Sequence, residues 1–226
     1  MFFRWIEMQF DPNRGSFDEN LFPMSWRVML SYLKGRQSIY DNDYGKAREY
    51  LRFAFSFSHP DNPRNKKKIL KFLVLVEINL NVFPTKALLQ KYQLTEYIDL
   101  VESCQAGDMS KFEDALNRHM DYFIYGGVYL VVEKLRHLTL RNLMKKVALV
   151  VQKDKTLQVS ETQPHLIKLD IVHNILRKWD PEMDQDELEC LLANQISMNH
   201  IKGYISHEKR LLVLPRQIEQ AFPLKQ

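Results

Sequence analysis

The sequence predicts a mainly α protein in which stacked helical-hairpin repeats are followed by a C-terminal winged helix with a small β hairpin. Three observations carry that prediction. Turn formers are scarce, with 7 glycines and 9 prolines in 226 residues, too few for a loop-rich sandwich or a dinucleotide-binding enzyme. Apolar residues recur at i, i+3 and i+4 over much of the chain, the period of amphipathic helices. Two short β-like runs follow Gly203 and close the order helix, helix, helix, hairpin. Hydrophobic residues make up 45% and aromatics 12%, enough for a real core and too much for extended disorder.

The lead segment, residues 1–23, mixes Trp5, Phe10 and Phe17 with Asp11-Pro12-Asn13 and Gly15 and lacks sustained periodicity. The helical-repeat part is expected over 24–138. Trp26, Met29, Leu30 and Leu33 form the stripe of a first helix, and Tyr44, Ala47, Leu51, Ala54 and Phe55 that of a second, with Asp41-Asn42-Asp43 as the turn. Asn62-Pro63 opens a third helix carrying Ile69, Leu70, Leu73, Val76 and Leu80, proline being suited to the first turn. Pro84 opens a short fourth around Leu88 and Leu89, and a fifth, 95–105, stops at Gly107. Asp108 can cap a sixth with Phe112, Ala115, Leu116 and His119 on one face, and Gly126-Gly127 ends the segment after it. Residues 129–137 read as one more helix.

The winged-helix part is expected over 139–216. Its first helix, 139–152, should turn Leu140, Leu143, Val147 and Val150 inward and Arg141, Lys145 and Lys146 outward. Residues 165–179 read as a helix broken by Asp180-Pro181, and Asp184 can cap a further helix over 185–198 with Leu188, Leu191, Leu192 and Ile196 along one face. The runs 204–207 and 211–214, separated by Glu208-Lys209-Arg210, make the hairpin, and 217–226 is a tail.

Catalysis finds little support, and no enzyme and no cofactor are expected. The histidines are scattered, without a His-Glu-x-x-His string, a Gly-x-Ser-x-Gly elbow or a Cys-x-x-Cys pair. Cys104 and Cys190 give neither a disulfide framework nor metal-ligand spacing and read as small buried side chains in a reducing compartment. An EF-hand loop begun at Asp180 would put Gln185 at its turn glycine and Leu191 at its bidentate glutamate, so calcium fails and metal is not expected. Gly126-Gly127 lacks a following Lys-Ser/Thr and is no phosphate loop. Lys66-Lys67-Lys68 reads as a solvated helix start in preference to an import patch. The longest apolar runs are far below a membrane span, and the start lacks a small-residue cleavage site. A soluble intracellular protein is expected, with no membrane and no small-molecule substrate as partner.

Stacked helical pairs followed by a winged helix resemble the PCI domain, the scaffold module shared by the proteasome lid, the signalosome and a translation-initiation complex. Within that family, Tyr32-Leu33-Lys34-Gly35-Arg36, Tyr40-Asp41-Asn42-Asp43-Tyr44 and Ala47-Arg48-Glu49-Tyr50-Leu51-Arg52-Phe53-Ala54-Phe55 look like the PCI subunit of the second transcription and export complex. Further strings are Thr139-Leu140-Arg141-Asn142-Leu143-Met144-Lys145-Lys146, Leu191-Leu192-Ala193-Asn194-Gln195-Ile196 and His200-Ile201-Lys202-Gly203-Tyr204-Ile205-Ser206-His207. The resemblance covers roughly 24–214 and implies a long helical region ahead of the first motif, whereas 31 residues precede Tyr32 here. It also implies two protein partners: a large helical scaffold subunit and a small acidic, largely disordered subunit shared with the proteasome lid. Nuclear residence, including the nuclear pore and shuttling to the cytoplasm, is part of the same expectation.

The formal net charge of +4 hides segregation. Residues 134–178 carry ten basic and three acidic side chains, whereas 180–189 carry six acids and no base. Lys202, Lys209, Arg210 and Arg216 then restore positive charge at the wing. The acids Asp186, Glu187 and Glu189 lie near the start of the helix that would enter a DNA major groove, so sequence-specific readout is disfavoured. The expected nucleic-acid-binding residues are Lys202, Lys209 and Arg210, supported by Arg141, Lys145 and Lys146, in salt-sensitive phosphate contacts indifferent to sequence. Tyr122-Phe123-Ile124-Tyr125 and Tyr129 supply aromatics suited to interfaces as well as cores. The expected role is a non-catalytic adaptor of a nuclear mRNA-export complex that presents a basic surface to RNA or DNA. The rivals are a proteasome-lid or signalosome-type subunit that binds only protein, and a winged-helix DNA-binding regulator.

Overall fold

The computed structural model describes residues 23–159 and 163–223. The lead segment, Pro23 apart, therefore lies outside the described residues. Helices α1 (Met24–Tyr40) and α2 (Tyr44–Phe57) form a tight hairpin. Its turn places Asn42 at φ 60, and the Asp43 side chain accepts from Lys46 N at 3.1 Å, capping α2. The period of α1 was legible but its phase differs from the expected stripe. Ser31, Gly35 and Ile39 face α2, while Trp26 and Met29 are 66% and 57% exposed. Small residues let the two helix axes approach closely, which turns the bulkier apolar side chains outward.

Helix α3 (Pro63–Asn79) begins with proline after the Asn62 cap and is buried on nearly all sides from Ile69 to Ile78. It carries Glu77 into that core, where the carboxylate pairs with Arg52 Nε at 2.7 Å and Arg48 Nε at 3.2 Å. Helix α4 (Lys86–Lys91), capped by Thr85, and a 3₁₀ turn (Thr95–Tyr97) lead into α5 (Ile98–Ala106). Asp108 caps α6 (Met109–Arg118), and α7 (Met120–Tyr125) ends at the Gly126-Gly127 break.

The two helices expected over 129–137 and 139–152 are one continuous helix, α8 (Tyr129–Lys153). At 25 residues it is about 38 Å long and passes from one hydrophobic core to another. The first core is built from residues of α1 to α7 and the N-terminal half of α8, ending with Leu135 and Leu138. The second takes Leu140, Met144, Val147, Ala148 and Val151 of the same helix.

The second core is the winged helix. Residues expected to begin a helix at 165 instead form strand β1 (Leu166–Lys168), followed by α9 (Leu169–Leu176). Asp184 caps α10 (Gln185–Ser197) by accepting from Glu187 N at 2.7 Å. Strands β2 (Tyr204–Ser206) and β3 (Leu211–Val213) make the expected hairpin. Strand β1 pairs antiparallel with β3, Ile167 opposite Leu212, giving the order β1-β3-β2. Residues expected as a tail contribute to this core: α11 (Ile218–Ala221) buries Ile218 and Ala221, and Phe222 follows them inside.

Candidate nucleic-acid interface

The wing is held by backbone geometry that its sequence specifies. Gly203 has φ 155, and a Cβ there would lie 2.3 Å from Val213 O, so glycine alone lets β2 enter beside β3. Lys202 N donates to Ala221 O at 2.8 Å, which ties the start of the wing to α11. At the tip Arg210 adopts φ 51 and its carbonyl accepts from Leu169 N at 2.9 Å. These contacts fix the backbone while Lys202, Lys209 and Arg210 remain exposed.

The six predicted residues do not form one patch. Arg141 is a correction: it is 3% exposed and donates to Phe222 O and Asn142 Oδ1, so it cannot reach a phosphate backbone from outside. It reads as external on the period of α8, but at this point two cores cover opposite sides of the helix. Lys145 is half-buried, and exposed Lys146 donates to Ala106 O at the end of α5 at 2.7 Å. That contact places Lys146 on the helical-repeat side, whereas Lys202 precedes β2 and Lys209 and Arg210 lie in the turn between β2 and β3. Val150, expected inside, is 54% exposed, and Met144 takes the buried position.

Two features of the wing add to its predicted basic residues. Tyr204 is 62% exposed and stands two residues from Lys202 in the chain, at the start of β2. An aromatic ring beside a lysine can stack on an unpaired base while the ammonium meets a phosphate. Lys168, exposed at the end of β1, pairs with Leu211 beside Arg210 and extends the basic edge to a third strand. Its strand was hidden by its length.

Negative charge borders this edge. Asp186 and Glu187 are exposed at the start of α10, where they complement the helix dipole. Glu189, one turn on, meets His207 Nδ1 at 2.9 Å. The hydrogen bond that His207 donates to that carboxylate, then the carboxylate's charge, raise the His207 pKa above 6.5. Because the folded value is raised, the contribution of the pair is full below the unfolded pKa and is lost as pH rises through the folded one. In an NMR titration the His207 midpoint is expected above 6.5 and should fall in Glu189→Gln; an unmoved midpoint would remove Glu189 as its cause.

The cysteines differ from each other. Cys104 is buried, burial pushes its thiol up to about 12, and Thr139 Oγ1 donates to its sulfur at 3.2 Å. Cys190, expected buried, is exposed. The Tyr122–Tyr125 segment also divides, with Phe123 in the core and Tyr125 92% exposed. Among the described residues no group of three or more His, Cys, Asp or Glu is placed to hold a metal ion, and no helix is long and apolar enough to cross a membrane.

A family model described as PCI domain matches residues 86–216. The chain is 37% identical over 197 residues to PCI domain-containing protein 2 of Xenopus laevis, a match covering 87% of this chain and 47% of that protein. It is 35% identical over 202 residues to Enhanced ethylene response protein 5 of Arabidopsis thaliana, covering 89% and 48%. With Protein CSN12 homolog of Gibberella zeae the identity is 30% over 209 residues, covering 90% and 46%. The chain thus spans slightly less than half the length of these relatives. With a matched family segment that takes in the last helical repeats and all three strands of the winged helix, the chain belongs to the PCI domain family, whose members are generally non-catalytic scaffold subunits.

Proposed function

We propose that this PCI protein is a non-catalytic adaptor of a nuclear mRNA-export complex and that its wing contributes a basic surface for nucleic acid, bound without regard to sequence. The observation that carries the nucleic-acid part is the joint exposure of Lys202, Lys209 and Arg210 on the wing, where Tyr204 is exposed as well. Cations on a fixed backbone suit phosphates, and an aromatic ring that accepts any base adds no sequence preference. The acids at the start of α10 oppose major-groove entry of that helix, which argues against a DNA-reading regulator. The export assignment rests on the resemblance of the motif strings to those of the export subunit. A large helical scaffold subunit and a small acidic disordered subunit are the partners that resemblance implies, with the nucleus and its pores as the place of action.

Fluorescence polarisation with random single-stranded RNA, single-stranded DNA and duplex DNA, with and without the scaffold subunit, tests the reading. Binding is expected to fall steeply with salt, with a log–log slope of about −2 or steeper from three phosphate contacts. Salt-independent or absent binding in both states would end the nucleic-acid claim. The name CSN12 homolog favours a second reading, a signalosome-type assembly in which the basic edge meets protein alone. Co-purification from cells separates the two by the subunits recovered.

A further inference from the structure

An open groove of about 380 Å³ lies among α2, α3 and α4. Its floor is apolar: Leu70, Leu73 and Val74 of α3, each at most 7% exposed, line it together with Phe55 of α2 and Leu88 of α4. The volume falls within the roughly 300–1,000 Å³ of small-molecule sites. An apolar cavity of roughly 150 Å³ holds a benzene ring. This groove therefore takes an apolar body about twice that size.

The polar part of the lining is a cluster of charges that do not balance. Arg52 Nε donates to Glu77 Oε1 at 2.7 Å, and Arg48 Nε lies 3.2 Å from each oxygen of the same carboxylate. Two guanidiniums thus share one acid. Among the described residues no acid other than Glu77 lines the groove. Lys66 adds a third cation, with Nζ 5.5 Å from the centre of the Phe55 ring.

The donors left over face a common ligand. Arg52 uses Nε alone on Glu77, and its Nη nitrogens make no hydrogen bond among the described residues. Ser56 lines the groove one turn further along α2, and residues four apart share one helix face. Its hydroxyl makes no hydrogen bond among the described residues either. A guanidinium fork with a neighbouring hydroxyl suits the two oxygens of a planar carboxylate.

We infer that this groove binds a medium-chain fatty acid, with its carboxylate on Arg52 and Ser56 and its chain over Leu70, Leu73 and Val74. The ligand's charge completes a set of two guanidiniums and two carboxylates, while its chain covers apolar surface otherwise open to water. A neutral chain lacks the first gain, and an ammonium group meets the excess of guanidinium. The groove belongs to the first core and the wing to the second, so the proposal is independent of the nucleic-acid reading.

The test uses the whole chain with octanoate as the probe, read by the methyl resonances of Leu70, Leu73, Val74 and Leu88 and by thermal unfolding. Octanoate is expected to shift these methyls with a dissociation constant of about 1 mM or tighter. At about ten times that constant it should raise Tm by about 4 °C. Octanol and octylammonium, which carry the same chain, should bind about tenfold more weakly. Arg52→Gln should weaken octanoate by about tenfold and leave octanol unchanged. Val82→Asp, at a lining position 42% exposed, sets a like charge against the ligand. It should weaken octanoate without moving the unfolding midpoint of the free protein, and it leaves the Arg52–Glu77 pair intact. Absence of methyl shifts at about 10 mM octanoate, or equal binding of octanoate and octanol, would overturn the proposal. Tighter binding of octylammonium would do the same, by making Glu77 the group that reads the ligand. A peptide ending in a free leucine carboxylate, acetyl-Gly-Gly-Leu, should bind more weakly than octanoate; the reverse order would give the groove to a chain terminus and overturn the assignment.

Discussion

Replacing Gly107 with alanine is expected to lower stability by about 3 kcal/mol, or to lower Tm by about 10 °C for a chain of this size. Gly107 ends α5 at φ 66, and a Cβ on it would lie 2.5 Å from Leu143 N and 2.8 Å from Leu143 Cα. Both atoms belong to the backbone of α8, a continuous helix that cannot yield at one residue. The left-handed conformation alone costs about 1 kcal/mol for alanine; the collision adds the larger share. Gly127 provides the control within the same molecule. It has φ 67 and nothing within 4 Å of the added carbon, so Gly127→Ala should show only the conformational cost. Chemical denaturation of both variants checks the difference. Equal losses would mean that the approach of α5 to α8 does not limit what residue 107 can be.

The collision point is also where the reading of sequence alone reached its limit. Periodicity found the buried faces of α2 and α3 because each packs mainly into a single core. From Leu138 to Asn142 every residue of α8 is buried, since the first core ends on one side of the helix and the second begins on the other. An amphipathic pattern assumes one wet face, and at Arg141 there is none. In α1 the apolar side chains at Trp26 and Met29 are larger than the buried Ser31, Gly35 and Ile39, so a search for apolar bulk selected the wrong phase. Strand β1 has three residues and its partner strand lies more than forty positions later, beyond any local signal. The tail helix α11 is too short for periodicity, although Ile218 and Phe222 fill the second core. By contrast, the caps Asp108 and Asp184 were legible as sequence, because a cap depends on one residue and the three that follow it. The wing hairpin was legible for a similar reason, with Gly203 and the tip residues placed side by side in the chain. Of the basic residues expected outside, those of the wing were legible as exposed. Exposure there depends on a local hairpin, whereas for Arg141 and Lys146 it depends on which distant element covers α8.

Reversing the three wing charges together, Lys202→Glu, Lys209→Glu and Arg210→Glu, is expected to weaken nucleic-acid binding by about 100-fold or more near physiological salt. Each lost phosphate contact removes close to one released counterion, so the log–log salt slope on duplex should flatten by about 3. The fold should survive, because all three side chains are exposed and the contacts that shape the wing use backbone atoms at Lys202 and Arg210. Position 210 is the most delicate, given its φ of 51; Arg210→Asn combined with the two lysine reversals keeps a residue suited to that conformation and should retain most of the effect. Tyr204→Ala separates the two kinds of contact at the same edge. It should weaken binding to single strands by about 1 to 3 kcal/mol while leaving the salt slope unchanged, because it removes a stacked base and no ion. Lys146→Glu, on the helical-repeat side, is the comparison for location: a loss as large as that of the wing variants would move the interface from the sheet to α8. If the triple variant keeps both its affinity and its slope while its unfolding midpoint is unchanged, phosphate does not follow the wing, and the basic edge is a protein-binding surface.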